Sequence, residues 1–82
     1  MDIVTKREIL GDYINHILGK YFRYSIQNNI NSDDISNPLV RNLDELFDMQ
    51  LNQYYNCETD KEISDMEKRV DELDNFFTEY TK

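Results

Sequence analysis

The 82-residue sequence has one cysteine, one histidine, one proline, two glycines and no tryptophan. The lone Cys57 can make no internal disulfide, and no CxxC pair exists to hold a metal or run redox chemistry. Cys57 also has no base close to it in the chain, which leaves a catalytic thiol without support and makes it a small, semi-buried residue. His16 finds only Asp12 one helical turn away, too few ligands for a metal site, so it reads as a surface histidine. Gly11 and Gly19 cannot form a glycine-rich phosphate loop, and no GxSxG elbow is present. Apolar runs fall well short of the ~18 residues of a membrane span, and there is no leader-like apolar segment. A reducing, cytoplasmic setting is expected. Cations are scarce too, nine Lys and Arg against 17 Asp and Glu, for a net charge of −8. So acidic a chain is repelled by nucleic acid and by anionic lipid, and neither is expected as a direct partner.

What the chain does contain is helical periodicity. Apolar doublets recur every four residues at Ile9/Leu10, Tyr13/Ile14, Ile17/Leu18 and Tyr21/Phe22, then Ser25/Ile26. Residues four apart stack on one helix face, so this spacing predicts a helix over about 6–27, with Met1–Arg7 as a lead-in that packs Ile3 and Val4 beneath it. Gly11, Asn15, Gly19 and Arg23 form a small and polar row. Its two glycines mark either a close helix approach or glycines tolerated on an open face.

Residues 28–36, NNINSDDIS, are turn formers, and 28–37 is the expected linker. Asn29, Asn31 and Asp33 have the spacing of a calcium loop, but Asp34 stands where glycine is required and Val40 where the bidentate glutamate belongs, which excludes it. Asn37-Pro38 predicts a helix start and a second helix over 38–56, with Leu39, Val40, Leu43, Leu46, Phe47, Leu51 and Tyr54 inward and Met49 and Tyr55 widening the stripe. Thr59 and Glu62 make a capping box for a third helix over 60–80. Its apolar residues, Ile63, Met66, Val70, Leu73, Phe77 and Tyr80, follow a heptad-like seam with Phe76 beside it, and Asp65–Arg69 is an i,i+4 ion pair. No stretch alternates as a strand does. The expectation is one all-α domain over 1–82, a three-helix bundle or a hairpin plus one helix. Its expected core is Ile9, Leu10, Ile14, Ile17, Leu18, Phe22, Leu43, Phe47, Leu73 and Phe77, with Leu18→Ala costing about 2–5 kcal/mol. The heptad seam further predicts self-association as a two-fold dimer.

Function is sought in the carboxylates. Residues 1–32 hold four bases and three acids, a balance of +1, which leaves −9 for residues 33–82. Asp44/Asp48, Glu58/Glu62/Asp65 and Glu67/Asp71/Asp74 recur three or four apart, about 5–6 Å at Cβ, close to the spacing of successive phosphates. Such rows could occupy the basic, nucleic-acid-binding surface of a partner protein, or serve only to solubilise the helices. The first alternative makes the chain a binding inhibitor rather than an enzyme, similar in charge and size to acidic anti-CRISPR and anti-restriction proteins. No cofactor or metal is implied.

Two segments also resemble the small aspartyl-phosphate phosphatases that act on a sporulation response regulator. Their helical hairpin carries a Ser-Gln-Glu-Leu-Asp motif and an aromatic tail. Glu72-Leu73-Asp74 followed by Phe76, Phe77 and Tyr80 is similar to the end of that motif, although Val70 and Asp71 replace Ser and Gln. A second register runs from Pro38 through Asp44-Glu45-Leu46-Phe47-Asp48 to Tyr54-Tyr55. The resemblance implies a phosphatase-like regulator with Asp74 or Asp48 as its functional aspartate. A plain helical assembly subunit is the third possibility.

Overall fold

The computed structural model describes residues 2–82, with the side chains of residues 54 and 55 excepted, so the places expected for Tyr54 and Tyr55 lie outside the described residues. Three helices follow one another, α1 (Ile3–Gln27), α2 (Pro38–Asn56) and α3 (Asp60–Tyr80), each packed on the other two, and no strand occurs among the described residues. The all-α bundle is the fold the periodicity predicts.

The ends of the helices are set by side chains. α1 begins earlier than its apolar pattern suggests, because Asp2 serves as N-cap and its carboxylate accepts the Thr5 N–H at 2.8 Å. That bond to Thr5 holds the Asp2 carboxyl below its ordinary pKa. The expected lead-in is therefore the first turn of α1, with Ile3 half-buried and Val4 exposed. At the other end Asn29 takes a left-handed φ of 54°, Asn29 N–H bonds to Ile26 O, and Ile30 N–H bonds to Ser25 O at 2.9 Å. These two reversed bonds are a Schellman stop built on Asn instead of Gly, and the stop brings Ile30 back against the core. Asn37 caps α2 through Leu39 N–H at 2.9 Å with Pro38 at the first position, and Thr59 caps α3 through Glu62 N–H.

The core is fed by Leu10, Ile14, Ile17 and Tyr21 of α1, Leu39, Leu43 and Leu46 of α2, and Ile63, Val70, Leu73 and Phe77 of α3, with Cys57 closing the α2–α3 turn. Tyr21 stacks on Phe77 with ring centroids 4.4 Å apart. Four members of the expected core do not belong to it: Ile9, Phe22 and Phe47 are half exposed, and Leu18 is only partly buried. Leu51, also expected inward, is 61% exposed. The cause is helical pitch. A four-residue step overshoots a 3.6-residue turn by about 40°. The inner row of α1 therefore passes from the second member of each doublet (Leu10, Ile14) to the first (Ile17, Tyr21, Ser25), and Ile9, Phe22 and Ile26 rotate outward. In α2 the row Leu43, Phe47, Leu51 drifts the same way, and Gln53 takes the inner position, 8% exposed.

Gln53 also explains one glycine. A Cβ on Gly11 would come within 2.4 Å of its Nε2, whereas one on Gly19 would meet nothing within 4 Å. The first is a close approach and the second an open face.

Candidate functional site

A three-helix bundle has three grooves between its helices, and here each has a different chemistry. Between α2 and α3 lies an ion-pair cluster. Arg69 donates through Nε and Nη2 to both oxygens of Glu45, the second at 2.9 Å, and through Nη1 to Glu72 at 2.8 Å. These bonds hold the guanidinium pKa above its ordinary value. The expected Asp65–Arg69 pair does not form, because the fork of Arg69 is already used by Glu45 of α2 and Glu72 of α3. Asp65 pairs instead with Lys61 at 2.8 Å, and the shared bond lowers the carboxyl and raises the amine.

Between α1 and α3 the groove is acidic. Lys6 and Asp60 pair at 2.9 Å near its start, beside Ile9, Ile63, Ser64 and Glu67. Further along, the Tyr13 hydroxyl donates to Asp71 at 2.7 Å. Burial, that bond and the charges of Asp71, Asp74 and Glu67 together push the Tyr13 phenol well above the ordinary tyrosine range. The row Glu67/Asp71/Asp74 expected on α3 thus converges on one side chain of α1. None of the ion pairs among the described residues includes any of the three.

The third groove, between α1 and α2, is apolar. Leu18 and Phe22 form one wall, Val40, Leu43 and Phe47 the other, Ile30 closes the end, and Asp44 stands at the lip.

The remaining acids of interest are dispersed. Asp48 is exposed on α2 and its carboxylate accepts from the Asn52 amide at 3.0 Å. Glu58 is exposed in the turn before α3, and Glu62 is engaged by the Thr59 hydroxyl at 3.0 Å. The eight acids singled out in the sequence therefore do not make one surface. Three gather on the α1–α3 groove, Asp44 and Asp48 lie on α2, and Glu58, Glu62 and Asp65 lie around the start of α3. Asp74, the aspartate of one phosphatase register, is half-buried near Tyr13, while Asp48 of the other is held within α2. Periodicity could not single out Tyr13, because a doublet tyrosine reads as core whether or not its hydroxyl reaches a carboxylate.

His16 is exposed on α1, and among the described residues no three His, Cys, Asp or Glu side chains converge as a metal site would require. Cys57 is fully buried with its Sγ 3.6 Å from Met66 Sδ, and burial raises its thiol pKa, the opposite of an activated nucleophile. No helix among the described residues is long and apolar enough to cross a membrane.

No curated protein and no solved structure gives a significant match to the chain. One family profile does, over residues 2–80, which takes in all three helices and both connections. That match carries nothing about phosphatases, CRISPR effectors or restriction enzymes. It makes the chain a small protein inhibitor whose partner is a toxin: the chain belongs to the bacterial epsilon antitoxin family.

Proposed function

We propose that the chain neutralises its toxin by laying the acidic α1–α3 groove on a basic surface of that protein, of the kind that holds phosphate or nucleic acid. One observation carries the reading. Asp71 of α3 accepts from the Tyr13 hydroxyl of α1, the charges of Glu67 and Asp74 on the same helix lie near that phenol, and no ion pair among the described residues includes any of the three. Like charges held this close destabilise a helix that could have interleaved lysines instead. A cationic partner surface would relieve that repulsion on binding. The Asp71 carboxylate, held by the Tyr13 hydroxyl, also loses less side-chain freedom on binding than a mobile one does. Asp44, Asp48, Glu58, Glu62 and Asp65 would then steer the approach from the flanks rather than form the contact. A two-fold pair of antitoxin chains would have to use another face than the α3 seam, since Ile63, Val70, Leu73 and Phe77 are buried within the bundle.

The test is the affinity of the toxin for the variant E67K/D71K/D74N, measured by titration calorimetry. Asn is chosen at 74 because that side chain is half-buried, where a lysine would have to be desolvated. The variant should bind at least about tenfold more weakly and lose most of the salt dependence of the wild type. Unchanged affinity with an intact helical circular dichroism spectrum would show the proposal wrong.

A further inference from the structure

The α1–α2 groove is not used by the reading just given. Its walls continue outward along two i,i+4 rows, Leu18/Phe22/Ile26 on α1 and Leu43/Phe47/Leu51 on α2, whose outer members are all at least half exposed. Four large apolar side chains left in water on adjoining helices of so small a bundle mark a contact surface more than scattered exposure does. Two are phenylalanines, rigid aromatics of the type enriched at the energetic centres of interfaces. The depression between them measures about 70 Å³, well short of the about 150 Å³ of a dry cavity that holds benzene. It suits one aliphatic side chain better than a ring-sized ligand.

Charge selects the occupant. Asp44 stands at the lip and Asp48 one turn on, neither paired with a cation among the described residues. A second copy docking by two-fold symmetry would bring another acidic rim to the same interface, on a second chain of net charge −8. A segment with aliphatic anchors and flanking Lys or Arg would instead fill the groove and neutralise its rim.

We propose that this groove is a contact for the toxin in its own right, and that it takes an aliphatic side chain from a basic amphipathic helix of that protein. The inference rests on the toxin as partner but not on the α1–α3 groove being its contact. It explains why an inhibitor whose surface is so acidic also keeps exposed phenylalanines.

The probe is an 18-residue peptide of leucine and lysine with leucines at helical i, i+3, i+4 and i+7 spacing, titrated into the 15N-labelled chain. Its twin carries glutamate for every lysine. Amide shifts should centre on Leu18, Ile30, Val40 and Leu43, the glutamate twin should not bind, and F22S/F47S should weaken binding about tenfold. D44K/D48K, a second variant on exposed positions, should weaken it several-fold. Shifts centred on Tyr13 and Asp71, equal binding of the glutamate twin, or self-association of the labelled chain through Phe22 and Phe47 would overturn the inference. With the toxin itself the two contacts separate. Full affinity in F22S/F47S but loss in E67K/D71K/D74N defeats the apolar contact alone. Loss in F22S/F47S but full affinity in E67K/D71K/D74N upholds it and defeats the acidic one.

Discussion

Tyr13 places a phenol among three carboxylates, and that has a measurable consequence at high pH. Its folded-state pKa is raised from the ordinary 10.0 by burial, by the bond to Asp71 and by the charges of Asp71, Asp74 and Glu67. The folded state therefore prefers the protonated phenol. The stability linked to this preference is complete below about pH 10 and drains away as pH climbs toward the folded value, because only the unfolded chain ionises freely there. Wild type should lose urea resistance between about pH 9 and 11 faster than Tyr13→Phe, which has no proton to lose at that position; parallel curves for the two proteins would refute this. The glycines make a second contrast at the same scale. Gly19→Ala should stabilise the protein by about 1 kcal/mol, the ordinary helix-interior difference, since its Cβ enters open space. Gly11→Ala should fall short of that gain, because the Gln53 amide must move from a buried position where its Oε1 already lacks a partner. Urea midpoints of the two variants give the comparison directly.

At the scale of the helix, the difference between a four-residue spacing and a 3.6-residue turn decides which apolar residues hold the fold and which are left for a partner. Ile17→Ala should cost about 2–5 kcal/mol, since the side chain is buried at the centre of α1. Phe22→Ser, five residues on and half exposed, should cost well under half of that, and Leu18→Ala should fall between the two because its side chain is only partly buried. Thermal unfolding of the three variants ranks them. The same drift marks where sequence reading succeeded and where it stopped. The limits of α2 and α3 were legible because Asn37-Pro38 and Thr59/Glu62 are local signals that need no tertiary partner. The start of α1 was missed because its cap, Asp2, precedes the periodic stretch by several residues. Which member of each doublet faces inward depends on the other two helices, and so it could not be read from α1 alone. The Glu67/Asp71/Asp74 row was visible as spacing, but its convergence on Tyr13 is a long-range contact between α1 and α3, and Gln53 was invisible because a polar residue gives no hydrophobic signal.

For the whole molecule, net charge sets salt against itself. The five ion pairs among the described residues are all substantially exposed, with side-chain exposures from 36% to 84%. Pairs like these contribute about 0–1 kcal/mol each, so screening them costs the fold little. Seventeen acids against nine bases repel one another across a bundle only 41 × 23 × 16 Å, and that repulsion is screened once the Debye length falls to about 10 Å at 0.1 M salt. Raising salt from about 0.01 to 0.3 M should therefore raise the melting temperature of the free antitoxin. Over the same range it should weaken the antitoxin–toxin complex, because the attraction between opposite surfaces is screened by the same ions. The two effects have opposite signs, so weaker binding at high salt cannot be ascribed to unfolding. Calorimetric melting of the free chain and titration with toxin across one salt series make the measurement. A complex as strong at 0.3 M as at 0.01 M would leave the acidic face no part in recognition and assign the affinity to apolar contacts such as the Phe22–Phe47 groove.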